Sequence, residues 1–246
     1  MKKSYRFELC AETLEAAVAA QQGGADRIEL CTDLSVSGIT PCPELLAAAL
    51  ENVSIPIHVL IRPRAGDFVY TAAEFACMAQ QIDQAKAAGA QGIAIGILLL
   101  DGRIDVARTR ELAERARPMH VTFHRAFDEV AGCAEDMNYS EALEDVIRTG
   151  ADTLLTSGGA PNVLEGAAQI GRLLVQANDR IEIMAGGGLR LTNLAELVQR
   201  SGVTTLHGSL SRPRAAASPE EAQQALIADI REAIRLLEAE CLEATG

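Results

Sequence analysis

GGADRIELC, residues 23–31, runs from a glycine into a short apolar strand. The same figure returns as AGAQGIAIGIL (88–98), TGADTLLTSGG (149–159) and SGVTTLHGSL (201–210). In each, a glycine (Gly24, Gly89, Gly150, Gly202) is followed by Ala or Val and then by the strand. A glycine just past a helix supplies the left-handed residue that stops it. The stretches before them, 12–22, 72–88, 139–149 and 192–201, carry Ala, Leu and Glu at helical spacing. Four further strands interleave: YRFELC (5–10), PIHVLIRP (56–63), HVTFHR (120–125) and RIEIMAG (180–186). Alternating strands and helices with short connections imply a parallel sheet with right-handed crossovers. Eight such units in 246 residues imply a single-domain α/β fold, a TIM-like (β/α)8 barrel over 1–246. The amphipathic segment 219–240, with Pro219 in its first turn, supplies the last helix. A doubly wound sheet would carry a GxGxxG fingerprint after strand 1, which is missing. Two separate domains would need a linker near the middle, and no Pro/Gly/Ser-rich stretch stands there.

Composition narrows the partners. The formal net charge is −12 and no run of Lys or Arg occurs. Counterion release on nucleic acid needs clustered cations, and so does an anionic membrane surface, so both are disfavoured. Aromatics make up 3% with no Trp, which leaves few stacking platforms for single strands. MKKSYRFELC has no apolar core after its lysines, and the longest apolar run, GIAIGILLL, is half a membrane span. A cytoplasmic protein is expected. Six cysteines at 10, 31, 42, 77, 133 and 241, with no CxxC, read as thiols of a reducing compartment.

In a barrel, alternate strand residues face the lumen, and chemistry collects at the C-terminal strand ends. Parity places Glu8, Cys10, Glu29, Cys31, Leu60, Arg62, Thr122, His124, Glu182, Met184 and His207 inside. The other parity is apolar (Phe7, Leu9, Ile28, Leu30, Val59, Ile61, Val121, Phe123, Ile181, Ile183) and suits packing on the helices. Charges in a lumen are costly unless paired. Glu8, Glu29 and Arg62 therefore form either a plug of ion pairs or part of a working pocket. The pocket reading takes Glu8, Glu29, Arg62, His124 and Asp128 as the catalytic set, with Asp128 orienting His124 or Arg125. His58 and His120 sit low on their strands and read as structural.

Three glycine loops follow strands 6 to 8: TSGG (156–159), AGGG (185–188) and HGS (207–209). Glycine lets a backbone approach an anion closely, and barrels bind phosphates at these ends. Gly158, Gly159, Gly187, Gly188, His207 and Ser209, with Arg64 of RPRAGDFVY, are the expected anion site. Thr71 and Glu74 fit a helix capping box. The only lysines are Lys2, Lys3 and Lys86, none on a strand, which excludes a Schiff-base aldolase. No HxH pair supports a zinc hydrolase, and no organic cofactor is indicated.

FELC (7–10) and IELC (28–31) end neighbouring strands, whose backbones lie about 4.8 Å apart. Their thiols should approach each other. Soft thiolates suit Cu(I), with Met184 a third soft donor; two small buried cysteines are the other reading. Cys42, Cys77, Cys133 and Cys241 have no such neighbour.

GGADRIELC, IRPRAGDFVY, TFHRAFD, LTSGG, MAGGG and LHGS, from Phe7 to about Arg212, together resemble the CutC copper homeostasis family. The resemblance implies a cytoplasmic TIM-like barrel, usually oligomeric (a homodimer or homotetramer), and a Cu(I) role for Cys10 and Cys31. Some members carry further cysteines after strands 6 and 8, where Gly159 and Gly208 stand here. The loop SRPRAAAS (211–218) is a candidate contact with a second subunit. The residues alone leave a second class open: a barrel enzyme acting on a small anionic or phosphorylated metabolite.

Overall fold

Eight parallel strands close into a ring in the computed structural model, which describes residues 5–133, 139–210 and 218–243. They are β1 (Arg6–Ala11), β2 (Arg27–Leu30), β3 (Ile57–Leu60), β4 (Gly92–Ile95), β5 (His120–Phe123), β6 (Thr153–Thr156), β7 (Glu182–Gly186) and β8 (Thr205–Gly208). Each pairs with the next in sequence, and β8 returns to β1. The helices around them are α1 (Leu14–Gly23), α2 (Pro43–Asn52), α3 (Ala72–Ala88), α4 (Val106–Ala116), α5 (Ala126–Cys133), α6 (Tyr139–Thr149), α7 (Ala167–Ala177), α8 (Leu194–Ser201) and α9 (Pro219–Glu243). The TIM-like barrel is as the repeat implies.

The local signals act as expected. Gly24, Gly89, Gly150 and Gly202 all have positive φ, at 95°, 95°, 80° and 72°. Thr71 and Glu74 close the capping box of α3. Strand ends differ more. β3 stops at Leu60 rather than Pro63, because the Arg62 N–H leaves the sheet and donates to Thr40 Oγ1 at 2.8 Å. Among the described residues no helix is long and apolar enough to cross a membrane. The loop 211–217 lies outside the described residues, so its expected subunit contact does too.

Parity sorts the core. Phe7, Leu9, Ile28, Leu30, Val59, Ile61, Val121, Phe123, Ile181 and Ile183 are all buried in the layer between strands and helices. Cys10, Cys31, Leu60 and Ala94 form a separate apolar cluster inside the ring. Interior rows also need space. His58, Gly92 and His120 are register neighbours on β3, β4 and β5, and the two imidazoles meet across Gly92 with centroids 5.1 Å apart. A Cβ at Gly92 would lie 2.4 Å from the His58 ring. Overpacking of this kind costs about 1–3 kcal/mol. Gly92→Ala is expected to lower unfolding free energy by that amount in urea titration, while Gly89→Asn, at an open left-handed cap, changes it by less.

Candidate functional site

The lumen is organised around Glu8. Its carboxylate accepts from Arg27 Nε on one side and is hydrogen-bonded to His207 Nδ1, 2.7 Å away, on the other. Register places the three together, since Glu8 neighbours Arg27 on β2 and His207 on β8. Burial alone would raise the Glu8 pKa, but His207 and Arg27 hold it at about 2. Burial likewise opposes charge on His207, yet Glu29 and the bond to Glu8 win, and its pKa rises. A plug of paired charges therefore exists, but it is Glu8, Arg27 and His207. Arg27, not singled out from the sequence, replaces Glu29 and Arg62 in it. Below the plug, a cavity at the strand starts is lined by Glu8, Arg27, His58 and His120.

Above it, a cavity of about 360 Å³ opens at the C-terminal strand ends. Cys10, Glu29, Arg62, His124 and His207 line it, joined by Gly187, Gly188 and Ser209 from the last loops. Leu34, Ser37, Phe68, Arg125, Leu155 and Arg190 complete it. Leu155 is an inward residue of β6 that parity predicts; the others come from connections beyond the strand ends, where strand periodicity says nothing about side chains.

On the cavity floor, Cys10 Sγ lies 3.6 Å from Cys31 Sγ and 3.6 Å from Glu29 Oε1. Cys31 is fully buried beneath Gly38 of the loop after β2, so of the two thiols only Cys10 lines the cavity. The hydrogen bond to Cys31, and then burial, push the Cys10 thiol well up, so it is protonated at neutral pH. Glu29 is raised, first by burial and then by Glu8. Ligand atoms of Cys10, Glu29 and His207 lie within 4.8 Å of one another. Met184 is not a third soft donor to this pair, because its sulfur takes a bond from Arg27 NH2 at 3.4 Å.

Arg62 is buried and tied by NH1 to the carbonyls of Val36 and Gly38 and by NH2 to that of Gly66, each at 2.7 Å. His124 accepts the Ala126 N–H at Nδ1, 3.2 Å away. Burial and the Arg62 charge lower its pKa to about 3, so it is neutral.

Five expected site residues lie elsewhere. Arg64 binds Glu74, Asp67 and the Val69 carbonyl, and so shapes the 64–74 loop instead of reaching the cavity. Asp128 does not orient His124 but holds Arg125, the other partner expected of it. Its carboxylate pairs with Arg125 Nε at 2.8 Å and accepts from the Ser157 N–H at 3.0 Å, the Gly159 N–H at 3.2 Å and the Thr156 hydroxyl. Gly158 donates to Thr156 Oγ1 at 2.8 Å. Gly158 and Gly159 therefore already serve an internal carboxylate and a hydroxyl, and form no anion site. Glu8 lies one layer beneath the cavity instead of on its wall.

A family model, the CutC family, matches residues 5–212. This chain belongs to the CutC family. A CutC family protein of Chromobacterium violaceum is 46% identical over 203 residues, covering 82% of this chain and 80% of the relative. One from Caulobacter vibrioides is 43% identical over 213 residues, covering 87% and 84%. CutC from Streptococcus agalactiae, a protein named for copper homeostasis, superposes with a TM-score of 0.77 at 29% identity. That match covers 84% of this chain and all of the other. Gly208 lines the cavity, while Gly159 packs against Tyr139.

Titration of the interior sets an acid limit on this CutC fold. Burial lowers His58 and His124 from 6.5 to about 3. The unfolded chain takes up these protons near 6.5 and the folded chain does not, so protonation favours unfolding. The stability these residues contribute is complete above pH 6.5 and is lost as pH falls toward about 3; Glu8 extends the loss toward about 2. The urea midpoint is expected to drop across that window, and His124→Gln to make the drop shallower. A midpoint that holds steady between pH 6.5 and pH 4 would contradict the assignment of neutral buried imidazoles.

Proposed function

We propose that this CutC protein is a cytoplasmic, homo-oligomeric copper-handling protein. Cu(I) is its cargo, taken up by Cys10 and Cys31. The observation that carries the reading is the buried pair of free thiols 3.6 Å apart. A thiolate–metal bond is about 2.3 Å in zinc sites, so two sulfurs at this separation both reach one small ion. Thiolates select Cu(I), and the ion has to displace the thiol protons. Glu29 and His207 stand beside Cys10 as further donors. Glu8 fixes the His207 ring through Nδ1 and leaves Nε2 facing Glu29, 4.0 Å away, which is how outer carboxylates orient metal-binding imidazoles. The copper homeostasis name of the Streptococcus agalactiae relative points the same way.

Anaerobic competition with a chromophoric Cu(I) chelator tests the reading. One Cu(I) per chain is expected to be withdrawn from the chelator by the native protein and none by Cys10→Ser/Cys31→Ser. His207→Gln is expected to weaken retention about 10–100-fold. A double serine variant that is folded and competes as well as the native chain would end the copper reading.

A further inference from the structure

The upper cavity is far larger than an ion needs, and one wall of it is built for something else. Arg62 is 5% exposed, yet its guanidinium bonds three neutral backbone carbonyls and neighbours the Tyr70 hydroxyl, and no carboxylate among the described residues forms an ion pair with it. Its Nε is buried with no hydrogen-bond partner. His124 is also 5% exposed; because Nδ1 accepts the Ala126 N–H, the ring hydrogen sits on Nε2, and that atom too is buried without a partner. A buried donor left unpaired costs about 1–3 kcal/mol, more when charged. Both residues line the one cavity, and each carries a buried donor for which the described residues supply no acceptor. Phe68 stands between them, its ring 5.0 Å from the Arg62 guanidinium carbon and 5.0 Å from the His124 ring.

The charge balance identifies the acceptor. The cavity is lined by three arginines, of which Arg125 is already paired with Asp128 while Arg62 and Arg190 are in no ion pair among the described residues, and by one carboxylate, Glu29, in a chain whose net charge is −12. Arginines gathered in a low-dielectric cleft focus a positive potential whatever the overall charge. Phe68, Leu34, Leu155 and Leu189 supply apolar wall for a carbon skeleton, and about 360 Å³ lies in the range of small-molecule sites.

We propose that this cavity binds a small organic oxyanion, a carboxylate or phosphate ester, whose oxygens accept hydrogen bonds from Arg62 Nε and His124 Nε2. The site stands independently of the copper reading: it uses the opposite chemistry and does not need the cysteines.

Isothermal titration of the full chain with succinate, glycerol 3-phosphate and inorganic phosphate tests it. Succinate and glycerol 3-phosphate separate the two headgroups, and inorganic phosphate lacks the carbon skeleton. At least one of the two organic anions is expected to bind in the millimolar range or tighter, more strongly than inorganic phosphate, and equally well to Cys10→Ser/Cys31→Ser. His124→Leu and Arg62→Lys are each expected to weaken it roughly tenfold or more, the loss of a charge-assisted hydrogen bond. Arg235→Gln, exposed on α9 and away from the cavity, leaves it unchanged. Because Arg62 also ties three loop carbonyls, a co-crystal of the native chain with the tighter anion provides a readout that needs no variant: its oxygens should meet both Nε atoms. Silence from both organic anions, or an anion seated away from Arg62 and His124, overturns the proposal.

Discussion

A carboxylate at the centre of a barrel has to be neutralised where it stands, and Glu8 is that carboxylate. Taking an ion out of water costs several kcal/mol even after relaxation, so Glu8 is tolerable only while Arg27 and His207 both hold it. The parallel register of β1 with β2 and β8 provides both partners without any loop. Once set, the trio divides the lumen. His58 and His120 belong to the lower chamber, and the upper chamber is left to Cys10, Glu29, Arg62 and His124. Removing Arg27 or His207 would leave the charge unpaired in a dry interior.

The two ligands proposed for the upper chamber are of opposite sign, yet their sites are compatible. Two thiolates around one Cu(I) sum to a single negative charge, which a wall of arginines tolerates. Cys31 lies sealed under the loop after β2, and Arg62 anchors that loop by its bonds to the Val36 and Gly38 carbonyls. Arg62 therefore touches both sites: directly the anion wall, and through the loop the cover over the second thiol.

What could be read from the sequence follows from periodicity. A strand repeats every two residues, so parity alone put Cys10, Glu29, Arg62, His124 and His207 inside and the apolar set outside. Adjacency of β1 and β2 brought Cys10 near Cys31, but not in the register the matching ELC ends suggest: Cys10 stands opposite Glu29, and the two thiols meet on a diagonal. Where the chain leaves the sheet, that logic lapses. Arg64 sits two residues beyond Arg62 and has the same chemistry, but a turn aims it at Glu74. Asp128 lies on the first turn of α5, where helical geometry sends its carboxylate across to the 156–159 loop. Phe68 and Arg190 reach the cavity from loops whose path no local pattern encodes. Arg27 was hidden for a different reason: it opens a strand, a place where a charged residue ordinarily faces water.

The loop after β6 shows how a barrel can fill a cluster of amides from within its own chain. Its amides converge on a point as they do in phosphate-binding turns, but the Asp128 carboxylate is seated there and covalently attached to the same chain. A tethered occupant has an effective concentration that no dissolved metabolite matches. One segment of the barrel mouth is thus permanently occupied by a side chain of its own protein.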